Sequence, residues 1–175
     1  MWKKLKNLKK FTDKSSVEMI IGPAKCNVPG THLYYYGRGF FLAYAERKFK
    51  MENLERIEYG EKGQYLTKIC HYASKDLFMK HFQLDEFEAS DMEAFDGDII
   101  DGCVNYETRF SEVRKAYLAS SKSEFYREAE DRSIVDGKFT FQNRVILWGR
   151  YSLFYEKNSS KAKLSGFEYV LKRVE

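Results

Sequence analysis

Carboxylates are concentrated in one stretch of the chain, residues 84 to 101, with the sequence LDEFEASDMEAFDGDIID. This acidic run contains no Lys, Arg or His, although the 175-residue chain carries a formal charge of +4. Its eight acidic residues are Asp85, Glu86, Glu88, Asp91, Glu93, Asp96, Asp98 and Asp101. Side chains of this type can bind a metal ion, transfer protons, attract a basic partner or form a solvated surface.

A calcium loop of the EF-hand type is the first metal site to test against the acidic run. Asp96, Asp98 and Glu107 fall at the first, third and last positions of such a loop. The loop also requires a glycine at its sixth position, where Asp101 stands, so the spacing excludes an EF-hand. A Mg²⁺ site needs only one or two carboxylates, and a metal-dependent hydrolase or nuclease that uses the acidic run therefore stays open as an alternative.

Other enzyme chemistry has no support in the residue pattern. General acid and base catalysis needs two carboxylates in different environments, and a run of mutually repelling carboxylates gives no evident means of separating their pKa values. His32, His71 and His81 do not combine with the cysteines at zinc-site spacing. No phosphate-binding Walker loop, GxSxG or HExxH motif is present. We therefore predict that the protein is not an enzyme and binds no cofactor.

Positive charge is concentrated at the N-terminus. Residues 1 to 16, MWKKLKNLKKFTDKSS, hold six Lys and one Asp, so the other 159 residues carry 24 basic and 25 acidic side chains. Such a basic arm can bind nucleic acid or a membrane surface, because Lys clusters release counterions from phosphate. We expect a terminal helix with a solvated Lys face. A nucleic-acid-binding protein that uses the basic arm and aromatic sheet faces is the second alternative.

Composition and length indicate a globular chain with one main domain. Hydrophobic residues make up 43% of the sequence and aromatic residues 17%, which is typical of folded proteins. We predict a basic arm over residues 1–16 and a single α+β domain over residues 17–175. Cys26, Cys70 and Cys103 are an odd number at wide spacing, which favours a reducing compartment, the cytoplasm, over a disulfide framework. No apolar run is long enough to span a bilayer.

Strands are predicted on both sides of a helical middle segment. HLYYY and FFLAYAERKFK flank Gly37, Arg38 and Gly39, which indicates a hairpin. LERIEY and QYLTKICHY, joined by GEKG, predict a second hairpin. After VDGK, strand-like segments return in FTFQ, RVILWGRYSLFYE and FEYVLKRV, with turns predicted at 142–144 and 158–166. We expect these N-terminal hairpins and C-terminal strands to form an antiparallel sheet.

The helices are predicted between residues 74 and 131. Ser74 is suited to cap a helix over KDLFMKHFQL, residues 75–84. A second helical period from residue 105 is carried by Tyr106, Phe110, Val113 and Tyr117. Ser121 and Glu124 form a capping-box pattern for a further helix that reaches about residue 132. Strands followed by helices and then by strands indicate the α+β class.

Three segments in the middle of the chain, HLYYYGRGFFLAYAERK, SKDLFMKHF and NYETRFSEVRKAYL, follow each other in an order that resembles one family of small bacterial immunity proteins. These proteins belong to polymorphic-toxin and contact-dependent growth inhibition systems. The family has an aromatic strand that leads to a Glu-Arg pair, a short helix, and a second helix that opens with Tyr-Glu and Arg. The positions that carry the resemblance are Glu46, Arg47, Asp76, Leu77, Phe78, Tyr106, Glu107, Arg109 and Arg114. The basic arm, the acidic run and the strand-rich tail depart from this pattern.

The resemblance implies a protein that neutralises a cognate toxin domain by tight non-covalent binding in the cytoplasm. Many toxin domains of this class are nucleases with basic substrate grooves. A carboxylate-rich surface mimics phosphate and speeds association with such a groove by electrostatic steering. We therefore expect the eight carboxylates to bind the partner and neighbouring aromatic residues to supply its buried anchors. A nucleic acid or a membrane is not the expected partner.

Overall fold

The computed structural model describes residues 1–46, 49–52, 56–59, 63–118, 125–135, 138–155 and 161–171. The chain divides into two compact units. Unit 1 comprises Met1–Cys70 and Val170–Glu175, and unit 2 comprises His71–Tyr169. Antiparallel strands dominate both units and short helices accompany them, which confirms the predicted α+β class. None of the helices in the described ranges combines the length and apolar character that crossing a bilayer requires.

The described residues of unit 1 form two short helices and six strands, the last of which continues along the chain into unit 2. These are α1 (Trp2–Leu5), α2 (Lys14–Ile21), β1 (Cys26–Asn27), β2 (Leu33–Gly37), β3 (Phe40–Ala45), β4 (Phe49–Glu52), β5 (Arg56–Tyr59) and β6 (Tyr65–Tyr72). Four of the strands lie side by side in the order β1-β2-β3-β6, and β4 and β5 form a separate pair.

The first predicted hairpin is confirmed and the second is wrong. β2 and β3 are antiparallel, with Tyr35 opposite Phe41. Arg38 closes their turn at φ 51°, between two glycines that also have positive φ. β5 pairs with β4, where Phe49 lies opposite Tyr59, and does not pair with the strand that follows it in the chain. The predicted GEKG turn falls largely outside the described residues.

The basic arm is packed into unit 1. Trp2 and Leu5 of α1 are buried, and the Phe11 amide donates a hydrogen bond of 2.7 Å to the Leu66 carbonyl of β6. Asp13 then caps α2, because its Oδ1 accepts a hydrogen bond of 2.9 Å from the Ser16 amide. The apolar side chains of the arm therefore serve the core of unit 1, while Lys side chains at positions 3, 4 and 9 remain exposed.

In unit 2 the part of the chain that the structure describes forms two helices and four further strands. These are α3 (Lys75–Phe82), α4 (Phe110–Tyr117), β7 (Tyr126–Val135), β8 (Lys138–Leu147), β9 (Tyr151–Tyr155) and β10 (Leu164–Val170). The strands follow the order β10-β9-β8-β7, so the C-terminal strands form a meander. Ser74 caps α3 as predicted, since its Oγ accepts a hydrogen bond of 3.2 Å from the Leu77 amide.

Three local predictions for unit 2 are wrong. Of the helical segment expected between residues 105 and 131, the described residues form a helix only over Phe110–Tyr117, and residues 126–135 form β7, which pairs along its whole length with β8. The turn expected at 142–144 lies within β8. The strand expected to run from residue 144 to 156 is broken by a turn at 148–150. The capping-box residues Ser121 and Glu124 lie outside the described residues.

Aromatic side chains form much of the core of unit 2. Tyr72 stacks on Phe154 of β9, and Phe78 of α3 lies 5.4 Å from the Tyr72 ring. Gly166 of β10 makes this packing possible, because a Cβ there would lie 2.6 Å from the His71 carbonyl oxygen. Close packing of this kind holds the strands of unit 2 in fixed positions. These strands in turn hold α3, α4 and the acidic run.

Candidate protein-binding surface

The acidic run forms an extended loop between α3 and α4. It begins directly after Gln83, which ends α3 in the left-handed conformation at φ 54°. The Leu84 amide then donates a hydrogen bond of 2.9 Å to the Met79 carbonyl. From residue 84 to residue 99 the backbone forms neither helix nor strand. The position of its carboxylates therefore depends on the side chains that attach this loop to unit 2.

Four buried apolar side chains, Phe87, Ala89, Ile99 and Ile100, attach the loop near its two ends. The Phe87 ring packs on Phe78 of α3 at a centroid distance of 4.8 Å. Residues 86 to 90 alternate between exposed and buried, as expected for an extended segment that packs one of its faces on the core. This alternation directs the side chains of Glu86 and Glu88 towards solvent.

The middle of the loop is attached by Phe95. Its ring lies 4.9 Å from the ring of His71 and 5.4 Å from that of Tyr106. His71 is completely buried, and its Nδ1 shares a short hydrogen bond with the Tyr106 hydroxyl. Burial raises the pKa of Tyr106 well above its usual value, which keeps the hydroxyl protonated. His71 and Tyr106 therefore form a hydrogen-bonded polar pair beneath the loop.

The end of the loop is closed by a tight turn. Ile100 forms an isolated antiparallel bridge with Val104, and the Ile99 amide donates to the Val104 carbonyl at 2.8 Å. Asp98 contributes to the turn, because its Oδ2 accepts a hydrogen bond of 3.1 Å from the Gly102 amide. Gly102 has φ 73°, a conformation that a residue with a side chain rarely adopts.

The predicted carboxylates lie together on this loop but do not converge on a single point. Asp91 is half-buried, and the exposed carboxylates are Asp85, Glu86, Glu88, Glu93, Asp96, Asp98 and Asp101. Among the residues that the structure describes, no group of three or more His, Cys, Asp or Glu side chains is arranged to hold a metal ion. The arrangement is suited to presenting a spread of negative charge along an extended surface.

A cleft of about 260 Å³ lies elsewhere in unit 2, and none of the eight carboxylates lines it. Arg114 and Glu128 face each other at its edge in a bidentate ion pair, with N–O distances of 2.7 and 2.8 Å. The Arg114 guanidinium lowers the pKa of Glu128, although burial opposes this effect. Because the two charges neutralise each other, this ion pair gives the cleft no net charge with which to attract a ligand.

The positions that carry the family resemblance have mixed roles. Phe78 and Tyr106 are buried in unit 2, while Asp76, Glu107 and Arg109 are exposed. Glu46 is exposed in unit 1 and lies 3.8 Å from His32. Arg47 lies outside the described residues. Some of these positions therefore serve packing, and others lie on the surface away from the acidic run in sequence.

A polar cluster in unit 1 was missed by the sequence analysis. Glu18 of α2 accepts one hydrogen bond of 3.0 Å from the Tyr36 hydroxyl and pairs with Lys14 at 2.9 Å. The Tyr36 and Tyr44 hydroxyls are 2.5 Å apart. Burial raises the pKa of both tyrosines, so the hydroxyls stay neutral and link α2 to β2 and β3. The one sequence signal for this cluster was the four-residue spacing of Lys14 and Glu18, which is typical of an ion pair on a helix.

Exposed aromatic residues of unit 2 were also missed. Trp148 and Phe125 are each more than one-third exposed, and Trp148 lies in the turn between β8 and β9. The dipeptide of Trp148 and Gly149 was the available signal, because a glycine between two strand-like segments indicates a turn.

No protein-family model matches the chain, and neither a curated protein nor a solved structure is significantly similar to it.

Proposed function

We propose that this protein is an immunity protein, which neutralises a cognate bacterial toxin domain by tight non-covalent binding in the cytoplasm. In this proposal the acidic run meets a basic face of the toxin domain. One observation carries the proposal: buried side chains fix the backbone of the acidic run while seven of its eight carboxylates are exposed. A surface that is ordered before binding avoids much of the entropy cost of ordering a loop in the complex.

Electrostatics gives this surface a specific role. Exposed carboxylates on a low-dielectric protein surface attract a basic partner over several ångströms and accelerate its association. They also disfavour acidic partners, because like charges brought together across an interface are repelled. A toxin domain with a basic groove for a phosphate-containing substrate fits both properties. An immunity protein that covers such a groove needs no catalytic group of its own.

The nucleic-acid alternative has less support from the basic arm. Single strands are held largely by stacking of bases on accessible aromatic rings. Trp2 is only 5% exposed, and Tyr35 and Phe41 of the first hairpin are buried. The exposed Lys side chains alone are expected to give weak and strongly salt-dependent binding. For the hydrolase alternative, no group of three or more His, Cys, Asp or Glu side chains in the described residues is arranged to hold a metal ion, so a Mg²⁺ site would depend on one or two carboxylates of the loop.

The proposal is tested by co-expression with a toxin domain. We expect the partner to be the variable C-terminal domain of a large secreted protein encoded immediately upstream. Wild-type protein should restore growth of cells that express this domain. A loop-amide variant, with Glu86→Gln, Glu93→Gln and Asp96→Asn, should protect less well at low expression because the three charges that it lacks are exposed in the acidic run.

A matched control separates local charge from net charge. The outside-amide variant carries Glu46→Gln, Asp76→Asn and Glu107→Gln, which change the net charge equally at exposed positions outside the acidic run. This variant should protect as well as the wild type. The proposal is wrong if no toxin domain is encoded nearby, if the wild type does not protect, or if the purified protein alone hydrolyses a substrate.

A further inference from the structure

His71 is fully buried, unlike the other two histidines of the chain. The His32 side chain in unit 1 is 58% exposed, and His81 of α3 is half-buried. The rings of Phe95, from the acidic run, and Phe167, from β10, lie 4.9 and 5.8 Å from the His71 ring. Burial of an imidazole disfavours its charged form, because the imidazolium loses its hydration. The surroundings of His71 therefore oppose its protonation.

The hydrogen bond to Tyr106 opposes protonation as well. Burial raises the pKa of the Tyr106 hydroxyl well above its usual value, so this group keeps its proton and can donate it. In that arrangement His71 Nδ1, which shares the hydrogen bond, is the acceptor. If Nδ1 takes up a proton, two donors face each other. The hydroxyl then has to turn its proton away, towards the rings of Phe95 and Phe167 that also contact Tyr106.

Other titratable groups lie on the elements that pack against His71. They are half-buried Asp91 and exposed Asp96 in the acidic run, Glu107 in the segment before α4, Glu168 on β10, and Cys70 and Tyr72 on β6. The strand residues among them alternate with the residues that form this contact, so their side chains project from the opposite faces of the strands. An exposed carboxylate attracts an imidazolium only weakly, because water and salt screen the charge. Desolvation of the His71 ring therefore determines the direction of the effect.

We propose that His71 is a pH-sensitive latch for the acidic run: uptake of a proton by His71 releases Phe95 and, with it, the middle of the loop. In the closed loop Phe95 packs on the His71 ring. In the open loop the two ends stay attached by Phe87, Ile99 and Ile100, which are buried. The open loop still carries the carboxylates but no longer holds them in fixed positions. This inference goes beyond the proposed function and needs no toxin domain for its test.

The sign and size of the pH dependence follow from which state of the loop binds the proton. An imidazole that opening exposes to water has an ordinary pKa of about 6.5. The closed loop holds His71 in surroundings that bind the proton less readily. The contribution of His71 to closure is therefore fully present above about pH 6.5 and is lost as the pH falls below that value. If only the open loop binds the proton, the ratio of open to closed loop rises about tenfold from about pH 7.5 to about pH 5.5.

Cleavage of the full-length protein by a Glu-specific protease measures release of the loop. Glu93 lies two residues before Phe95, and a protease cuts a folded protein at a rate that follows the population of the detached segment. The cleavage rate after Glu93 is divided by that of a free peptide of residues 90–98 at the same pH. This ratio should rise about tenfold from about pH 7.5 to about pH 5.5. An unchanged ratio would overturn the inference.

Two variants assign the pH dependence to His71. The double variant His71→Phe, Tyr106→Phe removes the titrating group and its hydrogen-bond donor together, so its cleavage ratio should not change with pH. His32→Gln is the matched control, because His32 is exposed in unit 1, and it should keep the tenfold change. If the double variant keeps the pH dependence of the wild type, another group is responsible and the latch is wrong.

NMR titration of the three histidines of the wild type gives a test that needs no variant. At about pH 5.5 the His71 ring of the closed protein should be neutral and carry its proton on Nε2, because Nδ1 accepts from Tyr106. A His71 ring that is charged at about pH 6.5 or above would overturn the inference. Neither measurement uses a toxin domain. A failure of the immunity function therefore leaves the latch intact, and a failure of the latch leaves the immunity function intact.

Discussion

Removal of the Tyr106 hydroxyl should destabilise unit 2 and loosen the acidic run. The variant Tyr106→Phe keeps the ring that contacts Phe95 and deletes only the group that shares a hydrogen bond with His71 Nδ1. His71 is completely buried, so water cannot replace the lost partner without opening the structure. The change therefore tests whether the polar pair beneath the loop holds the loop in place.

The expected magnitude follows from the burial of the pair. Leaving one partner of a buried hydrogen bond without the other costs about 1–3 kcal/mol. For a chain of this size, 1 kcal/mol shifts Tm by about 2–4 °C, so a loss of about 2 kcal/mol lowers Tm by about 4–8 °C. Replacing both polar groups by apolar ones of similar shape removes the penalty. The double variant His71→Phe, Tyr106→Phe should therefore lose at least about 1 kcal/mol less than the sum of the single variants.

Urea unfolding of the four proteins in this cycle gives the free energies of unfolding. Hydrogen exchange of the backbone amides near Phe95 reports on the loop, and it should accelerate in Tyr106→Phe and recover in part in the double variant. Additive losses in the cycle would show that the two groups do not interact. A stability loss below about 0.5 kcal/mol in Tyr106→Phe would refute the account of a buried pair.

Three further predictions concern stability. Gly166→Ala should cost at least about 1–3 kcal/mol in urea unfolding, because the new Cβ would lie 2.6 Å from the His71 carbonyl oxygen; wild-type stability would contradict this packing. Hydrogen bonds from Ser15 and Ser16 lower the pKa of Asp13 from 3.8 to about 2, so the stability that its charge provides should be complete above pH 3.8 and be lost as the pH falls towards 2. Comparison with Asp13→Asn, which keeps a capping oxygen, measures this, and a pH-independent difference would refute it. Arg114→Ala should cost less than about 1 kcal/mol because the ion pair is exposed, and a loss above 2 kcal/mol would refute that assignment.

Local signals were sufficient to predict several elements. The helix α3 was predicted because Ser74 can cap it and its apolar residues recur at helical spacing, and both features depend on neighbouring residues only. The first hairpin was predicted because glycines on both sides of Arg38 accept positive φ in a tight turn. Where structure depends on residues close in sequence, the pattern and the structure agree.

The strand β7 could not be predicted for the opposite reason. Its sequence, YREAEDRSIV, contains Arg, Ala and Glu residues that favour helices. It becomes a strand because ten residues pair with β8, and tertiary context overrides such propensities. The prediction of the second hairpin was wrong for the same reason, because the turn after β5 does not determine which strand β5 pairs with. Several strands compete to pair with any one strand, and the whole fold determines which of them does so.

The acidic run was recognised by its charge, but its attachment was not. The carboxylates drew attention away from Phe87, Phe95 and Ile99, which lie among them and hold the loop to unit 2. An extended segment gives only the weak signal of alternating burial, and Phe95 contacts residues of β6 and β10 that the sequence cannot place beside it. A charged run that contains several large apolar residues is better interpreted as an attached surface loop than as a solvated tail.

The central claim, that the acidic run steers a basic toxin domain, is tested most directly by association kinetics. Stopped-flow measurements with the cognate domain should show that the loop-amide variant associates about tenfold more slowly than the wild type at low salt. Its association rate should also depend less on ionic strength, while its dissociation rate changes by less than about threefold. The outside-amide variant should behave like the wild type. An association rate that is the same for all three proteins, or that falls equally in both variants, would contradict the claim.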